Sequence, residues 1–175
     1  MKYYNLNYFY VITKVKEHKN VKENLLKLIN DMPSSYISGI SKTDWHLSKE
    51  TPRPYLDYFY KIISPYMNKM AKKMKCKDWV ISNGWFQQYN KTDEHPWHNH
   101  GYSNFSNVYY IELPEKSIKT EFYDIVNNKV INTMKVKEGD MITFPSSLIH
   151  RSPKNLSSKR KSIISFNSNF EYVVV

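Results

Sequence analysis

The stretch DWVISNGWFQQYN, residues 78–90, marks the change from helical to β-strand patterning in this chain. From there towards the C-terminus, short runs rich in β-branched and aromatic residues alternate with turn signals. These runs are 78–90, 107–113, 119–125, 129–137, 140–145 and 161–172. Several short strands at this spacing are typical of an all-β sandwich or barrel. The sequence therefore predicts a barrel-like β core.

Two amphipathic helices are predicted ahead of this core. Residues 21–31 place apolar side chains three and four positions apart, which gives one helical stripe. Residues 54–75 predict a longer helix that starts at Pro54, and Pro65 is expected to kink or break it. Helices followed by strands indicate a mostly β, α+β fold in which the helices buttress one face of the barrel.

The length of the chain fits one globular domain. It has 175 residues, and hydrophobic residues make up 41% of them, which is enough for a real core. No repeat or long Gly/Ser linker divides it. We therefore expect a single domain, 1–175, with helical support in residues 1–77 and the β core in residues 78–172.

Charge and cysteine content narrow the class of partner and the compartment. The net charge of +10 points to an acidic partner such as nucleic acid, although lysines spread along the whole chain also fit a solvated surface. One cysteine, Cys76, excludes an internal disulfide and fits a reducing cytoplasm. We see no signal-peptide pattern and no apolar run of 18 residues, so we expect a cytoplasmic protein without a membrane span.

Four of the six histidines fall in the second half of the chain: His95, His98, His100 and His150. Residues two apart on an extended chain point to the same side, so His98 and His100 can present two imidazoles to one point, whereas His95 has the opposite parity. His150 ends the run MITFPSSLIH, residues 141–150. A close pair with one distant histidine predicts a three-ligand metal site. Imidazole alone suits iron, zinc, copper or nickel, and a lone histidine such as His95 is more simply a hydrogen-bonding residue.

A basic residue follows this histidine pattern. Arg160 lies ten residues after His150 and opens the last predicted strand, where it shares one face with Ser162. A guanidinium and a hydroxyl beside a metal suit a dicarboxylate, because arginine binds a carboxylate through two charge-assisted hydrogen bonds. The alternative is a solvated basic cluster formed by Lys159, Arg160 and Lys161.

Taken together, the motifs resemble a known enzyme family. They are Trp85, His98-Asn99-His100, SNVYYI (106–111), Glu138-Gly139-Asp140, FPSSLIH (144–150) and RKSIISFN (160–167). This pattern, over about residues 78–170, resembles the 2-oxoglutarate–Fe(II) oxygenases common in phages and marine bacteria, which are relatives of the prolyl hydroxylases. The resemblance implies a double-stranded β-helix, a jelly-roll or cupin-like barrel. It also implies Fe(II), 2-oxoglutarate and O2, in an enzyme that a virus could encode for action in its host's cytoplasm.

The resemblance also implies roles for single residues. His98 matches the first metal ligand and His150 the distal one, while Arg160 matches the residue that pairs with the far carboxylate of 2-oxoglutarate. Tyr110 looks like the strand tyrosine that bonds the same carboxylate, although plain packing of Tyr109 and Tyr110 would explain it too. Ser162 joins Arg160 in the expected cosubstrate site.

The implied reaction is hydroxylation of a substrate C–H bond, with release of succinate and CO2. A peptide side chain is the first expectation for the substrate, from the nearest relatives, and a small metabolite or a nucleobase is the alternative. Trp85, Gln87 and Tyr89 share one strand face and are candidates for the substrate side, with core packing as the other explanation. The sequence does not indicate an oligomeric state.

One ligand position departs from the family pattern. The usual motif is His-x-Asp or His-x-Glu, and this chain has His100 at the carboxylate position. We expect His100 to be the third ligand, which makes the site one charge more positive than usual. The alternatives are a carboxylate from elsewhere (Asp93, Glu94 or Asp124) and an open position, which would make halogenation an option.

Two functions of other classes remain compatible with the sequence. A cupin-like metal enzyme that does not use 2-oxoglutarate would have a three-histidine site naturally, but it would not need Arg160. A non-catalytic basic module for nucleic acid would bind with a steep salt dependence and without metal.

Overall fold

The computed structural model describes residues 2, 8–115 and 118–172, which form two helices and eleven strands. In chain order these are β1 (Val11–Lys14), α1 (His18–Asn30), β2 (Ser35–Ile37), β3 (Ser41–Thr43), α2 (Pro54–Lys73), β4 (Cys76–Tyr89), β5 (His95–His98), β6 (Phe105–Glu112), β7 (Glu121–Asp124), β8 (Lys129–Ile131), β9 (Asp140–Pro145), β10 (His150–Ser152) and β11 (Lys161–Tyr172). The mostly β composition with two helices confirms the predicted fold class.

The strands form two antiparallel sheets. The larger has seven strands in the order β1-β9-β6-β11-β4-β3-β2, and the smaller has four in the order β5-β10-β7-β8. Strands distant in sequence are neighbours in both sheets, which is the arrangement of a double-stranded β-helix. The longest pairing, between β11 and β4, carries the last strand of the chain across the centre of the larger sheet.

Side-chain alternation along the larger sheet separates two hydrophobic cores. On β11, Ile164 and Phe166 pack in a cluster with the helices, where Phe59 of α2 is fully buried. Ile163, which precedes them and has the opposite parity, packs in a second cluster with Phe122 of the smaller sheet. Residues two apart on a strand share a face, so one face of the sheet carries the helices and the other lines the barrel. This confirms the predicted helical buttress.

The first 77 residues are less exclusively helical than predicted. β1 pairs with β9, and the β2–β3 hairpin extends the larger sheet beyond β4. These strands have three or four residues, too few for hydrophobic periodicity to indicate them. The strand predicted over 129–137 is also shorter, because regular pairing with β7 ends at Ile131.

The longest helix, α2, runs through Pro65 without ending there, so the predicted break does not occur. Pro65 and Lys61 are both exposed. Proline removes the bond to the carbonyl four residues earlier, and on an exposed face water can satisfy that carbonyl. Pro54 begins the helix as predicted. No helix in the described part of the chain is both long and apolar enough to cross a membrane.

Candidate metal centre

Three histidines converge inside the barrel. His98 ends β5, His100 follows two residues later, and His150 begins β10 directly opposite His98 in the β10–β5 pairing. Each offers a ring nitrogen, and these atoms lie within 4.8 Å of one another. The ring centroids of His98 and His150 are 4.2 Å apart, and that of His100 is 5.1 Å and 5.2 Å from them. The fold therefore brings together the three residues that the sequence singled out as metal ligands.

Backbone carbonyls orient two of these rings. The Nδ1 atom of His98 lies 2.8 Å from the Pro96 carbonyl oxygen, and that of His150 lies 2.8 Å from the Leu148 carbonyl oxygen. A carbonyl only accepts, so each Nδ1 carries the proton and donates it. Each Nε2 atom then keeps the lone pair that a metal needs.

His95 lies beside the cluster but does not belong to it. Its Nδ1 atom is 3.1 Å from Nδ1 of His98, and the two ring centroids are 4.2 Å apart. The group of side chains able to hold a metal comprises His98, His100 and His150. The opposite strand parity of His95 accounts for its place outside the group.

Among the described residues, the carboxylates considered as alternative third ligands also lie outside the histidine cluster. Asp93 accepts hydrogen bonds from the Tyr36 hydroxyl and from the Asn90 backbone N–H. Asp124 accepts from the backbone and side chain of Asn127 in an exposed turn. Asp93 and Asp124 thus have local partners, and the geometry favours His100 over them and over Glu94.

His100→Ala should therefore lower the metal affinity by about 100-fold or more, because it leaves two of three ligands. Loss of a residue that only supports a ligand typically costs 10–100-fold, and loss of a ligand should cost more. His100→Asp should keep the metal by restoring the more common two-His, one-carboxylate set. Titration of the metal-free protein with Fe(II) under anaerobic conditions measures both. His95→Ala is the matched control and should bind normally. Tight binding by His100→Ala would show that another group is the third ligand.

Burial keeps the three imidazoles neutral. Desolvation, with repulsion from the neighbouring rings, lowers the pKa of His150 to about 3 and that of His100 to about 4. Desolvation also lowers the pKa of His98. A metal binds the neutral imidazole, so at neutral pH these rings need not release protons first.

We accordingly expect metal affinity to change little between about pH 7 and pH 5 and to fall steeply near pH 4, where His150 and His100 take up protons. An ordinary imidazole would lose its affinity for the metal near pH 6–7.

The stability of the metal-free protein should also depend on pH, because these pKa values differ from those of the unfolded chain. The unfolded chain binds protons below about pH 6.5 that the folded chain does not, so stability falls as pH drops from there towards 4. Metal titrations across this range would contradict the expectation if affinity fell tenfold between pH 7 and 6.

The histidines line a cavity of about 370 Å³ between the two sheets. Trp85, Gln87 and Tyr89, predicted on the substrate side, all line it. They come from one face of β4, whereas the intervening Phe86 packs with the helices. Their placement is compatible with substrate contact, which stays a prediction.

Arg160 and Ser162 do not line this cavity. Arg160 donates from Nε to a Glu112 oxygen at 2.9 Å, and the Ser162 hydroxyl donates to the same oxygen. The two residues share a face, as predicted, but it is the face turned away from the histidines. The expected position of Arg160 at the barrel mouth is therefore corrected, because strand alternation places the inward side chains at odd numbers, such as Ile163 and Ser165.

Lys161 is the basic residue that points inward. Its Nζ atom donates to the Ile118 carbonyl at 2.6 Å and to the Ser152 hydroxyl at 2.7 Å. It also lies 4.9 Å from the ring centroid of Tyr89 and 5.9 Å from that of Tyr110. Lys161 is not itself a lining residue, but Ser152 and Tyr89, which it contacts, both line the cavity, so the amine lies directly behind the wall. Sequence reasoning missed Lys161 because two adjacent basic residues fit the same motif, and only the register separates them.

The Lys161 amine is almost fully buried, and desolvation lowers its pKa to about 7, with attraction to Glu121 opposing the shift. Tyr110, predicted to bind the cosubstrate, lies in the same corner. Its hydroxyl donates to the Thr120 hydroxyl at 2.8 Å and accepts from the Thr120 backbone N–H at 3.0 Å. This corner thus combines one titratable cation with two buried hydroxyls.

Comparison with known proteins adds to this geometry. Residues 83–167 match the model of a family described as "Putative 2OG-Fe(II) oxygenase". No curated protein matches the chain. Among solved structures, the viral collagen prolyl hydroxylase of Paramecium bursaria Chlorella virus-1, a complex with 2-oxoglutarate, has 15% identity and a TM-score of 0.63, covering 94% of this chain and 97% of the other.

Two bacterial structures are also similar. The first is an oxidoreductase of the 2OG-Fe(II) oxygenase family from Burkholderia pseudomallei, with 9% identity and a TM-score of 0.69 over 91% of this chain and 84% of the other. The second is a prolyl-4-hydroxylase from Pseudomonas putida, with 9% identity and a TM-score of 0.61 over 91% and 92%. At these identities the likeness is one of fold.

Proposed function

We propose that this protein is a dioxygenase that hydroxylates a C–H bond in a peptide side chain. The proposal starts from the match of residues 83–167 to the 2-oxoglutarate–Fe(II) oxygenase family. The family implies Fe(II), 2-oxoglutarate and O2 as cofactor and cosubstrates. The observation that carries the proposal is the position of three neutral histidines on the wall of one cavity, with a buried amine directly behind that wall on Ser152.

The donor set fits an iron ion. His98 and His150 present Nε2 lone pairs fixed by their carbonyl partners, and His100 adds a third imidazole within reach. Bound Fe(II) supplies the oxidative chemistry, in which O2 converts 2-oxoglutarate to succinate and CO2 and the substrate C–H bond is hydroxylated. The chain's own part is to hold the metal, to orient the two substrates and to exclude water from the cavity.

We assign the far carboxylate of 2-oxoglutarate to Lys161. None of the ion pairs found among the described residues includes this amine. A buried ammonium without a carboxylate in direct contact is costly, and the carboxylate of the cosubstrate would offset that cost. The hydroxyls of Ser152, Tyr110 and Thr120 lie in the same corner and can supply further hydrogen bonds.

The opposite side of the cavity supports an uncharged substrate group. Trp45, which is 54% exposed, packs edge-to-face on Trp85, with 4.5 Å between the ring centroids. The centroid of Trp85 lies 5.8 Å from that of the His100 ring. A run of aromatic rings therefore leads from solvent to the metal ligands. Such rings favour an aliphatic or cyclic side chain over a phosphate.

The basic charge of the chain is not concentrated at this entrance. Among the described residues that line the cavity, Arg151 is the one permanent cation, and it is bonded to Glu121 at 2.8 Å and lies over the Trp97 ring. We therefore favour a peptide over a nucleic acid as substrate.

The test is anaerobic reconstitution with Fe(II), addition of 2-oxoglutarate and O2, and measurement of succinate. We expect slow succinate formation alone and a several-fold increase with the right peptide, whose mass should gain one oxygen atom. Peptide pools rich in uncharged side chains are compared with oligonucleotides. A protein that binds stoichiometric iron but forms no succinate would refute the proposal. Salt-sensitive binding of nucleic acid without metal would favour the non-catalytic module.

One further candidate rests on a specific observation. Three histidines without a carboxylate also suit a cupin-like metal enzyme that does not use 2-oxoglutarate. The buried amine of Lys161 argues against it, because such an enzyme needs no anchor for a dicarboxylate.

We also propose that the chain acts as one domain in the cytoplasm, in keeping with the free thiol of Cys76. Limited proteolysis and cell fractionation test these two points.

A further inference from the structure

A chain of buried polar side chains runs behind His100. Asn167 on β11 places its Nδ2 atom 3.4 Å from Nδ1 of His100. Its Oδ1 atom accepts a hydrogen bond from the Ser106 hydroxyl at 2.9 Å, and the hydroxyls of Ser106 and Ser146 are 3.0 Å apart. Asn167, Ser106 and Ser146 are each at most 4% exposed. His100 is thus connected to a small network shielded from solvent.

The backbone fixes both ends of this network. Asn167 pairs with Ser106 across β11 and β6, and the pairing of β11 with β4 shifts directly after Asn167, where β4 carries the extra residue Ser82. Such bulges commonly re-aim a side chain beside a functional site. At the other end, the Ser146 carbonyl accepts the backbone N–H of His100 at 2.8 Å. The network therefore joins the ring of His100 to the residue that holds its backbone.

The partner of His100 differs in kind from those of the other two rings. Backbone carbonyls face His98 and His150, and these can only accept a hydrogen bond. The side chains behind His100 can run in either direction, because hydroxyls both donate and accept and an amide presents either nitrogen or oxygen. For Nε2 of His100 to bind a metal, its Nδ1–H must donate. This requires the Asn167 amide to be turned over from the orientation described above, so that its oxygen accepts from Nδ1–H and its nitrogen donates to Ser106. The Ser106 hydroxyl then donates to Ser146, and every polar group keeps a partner.

We infer that Asn167 is a positioning residue that orients the ring of His100 and fixes its tautomer as the third neutral ligand. The inference rests on the proposed metal site. It explains how an imidazole works at a position where the family has a carboxylate: the longer ring needs a partner on its far side, and β11 supplies it. Asn167 acts through His100 and does not itself bind the metal.

The experiment compares Asn167→Ala, Asn167→Asp and the control Ser168→Ala. Ser168 is also buried on the same strand, but it does not line the cavity and its hydroxyl accepts from the Asn107 amide rather than contacting His100. Metal-free proteins are titrated anaerobically with Fe(II) and with Co(II), whose visible absorption bands report ligand geometry. Asn167→Ala should weaken binding about 10–100-fold and alter the Co(II) bands. Asn167→Asp should bind as tightly as wild type or more tightly, since a carboxylate accepts from Nδ1–H. Ser168→Ala should bind normally.

Unchanged affinity and an unchanged Co(II) spectrum in Asn167→Ala would overturn the inference. Equal losses in Asn167→Ala and Asn167→Asp would also overturn it, because an acceptor should rescue the function. If Asn167→Ala does not fold, Ser106→Ala tests the inference instead. It leaves Asn167 in place without its hydrogen-bond partner and should also weaken metal binding. His150→Ala serves as the reference. Retention of metal by that variant would mean that the proposed site has failed, rather than the role of Asn167.

Discussion

His150→Ala is expected to abolish stoichiometric iron binding, with a loss of about 100-fold or more in affinity. Substitution of groups that only support a metal ligand typically costs 10–100-fold, and loss of a ligand should exceed that. His150 is the most buried of the three histidines, and its ring centroid is 4.2 Å from that of His98 and 5.2 Å from that of His100. Its Nδ1 atom is held by the Leu148 carbonyl, so its Nε2 atom has a fixed direction. Anaerobic titration of the metal-free variant with Fe(II) measures the effect.

The His150→Ala result needs a control for folding, because the ring also packs edge-to-face on Phe144, with 4.7 Å between centroids. His95→Ala removes an imidazole from the same cavity without removing a ligand and should retain iron. Thermal unfolding of both metal-free variants shows whether the fold survives. A folded His150→Ala protein that binds one iron with normal affinity would remove His150 from the site.

Lys161→Met is expected to weaken 2-oxoglutarate binding by about 30-fold to several thousand-fold, equivalent to about 2–5 kcal/mol, the usual cost of removing one partner of a buried charge pair. Methionine approximates the length of the lysine without its charge. The change should leave metal affinity intact. Binding of 2-oxoglutarate to protein loaded with Zn(II), which does not turn over, isolates this effect from catalysis.

Arg160→Ala is the matched control for Lys161→Met, since Arg160 immediately precedes Lys161, the first residue of β11. The guanidinium of Arg160 is bonded to Glu112 on the other face, so this variant should bind 2-oxoglutarate almost normally. This expectation reverses the one drawn from the sequence. The opposite pair of results, a loss in Arg160→Ala with normal binding by Lys161→Met, would restore Arg160 as the anchor.

The pH dependence of cosubstrate binding provides a separate check on Lys161. Burial lowers the pKa of its amine to about 7, so the charged form prevails below that pH and declines above it. Affinity for the dianionic 2-oxoglutarate should therefore fall by up to about tenfold for each pH unit above 7. Lys161→Met should lose this dependence, whereas Arg160→Ala should keep it.

Local features were readable from the sequence. The apolar stripes of α1 and α2 and the alternation in β4, β6 and β11 depend on neighbours along the chain, and so does the shared direction of His98 and His100. The assignment of His150 to the same site came from its order after FPSS and from the family resemblance. These signals were sufficient for a mostly β fold with helical support and for the composition of the candidate metal site.

Other features depend on partners distant in sequence. β1, β2 and β3 exist because longer strands offer them edges, and the continuity of α2 at Pro65 depends on which side of the helix meets water. Asn167 carries no local signal for its place behind His100. It arrives there through the pairing of β11 with β6.

The cosubstrate anchor separates the two kinds of information most clearly. The sequence by itself determined that Arg160 and Lys161 point to opposite sides of one strand, because side chains alternate along an extended backbone. It could not determine which side is the inside of the barrel, since a shift of one residue in register exchanges the two faces. The tertiary structure decided this by pairing β11 with β4 and β6, which turns Ile163 and Lys161 towards the smaller sheet and leaves Arg160 with Glu112.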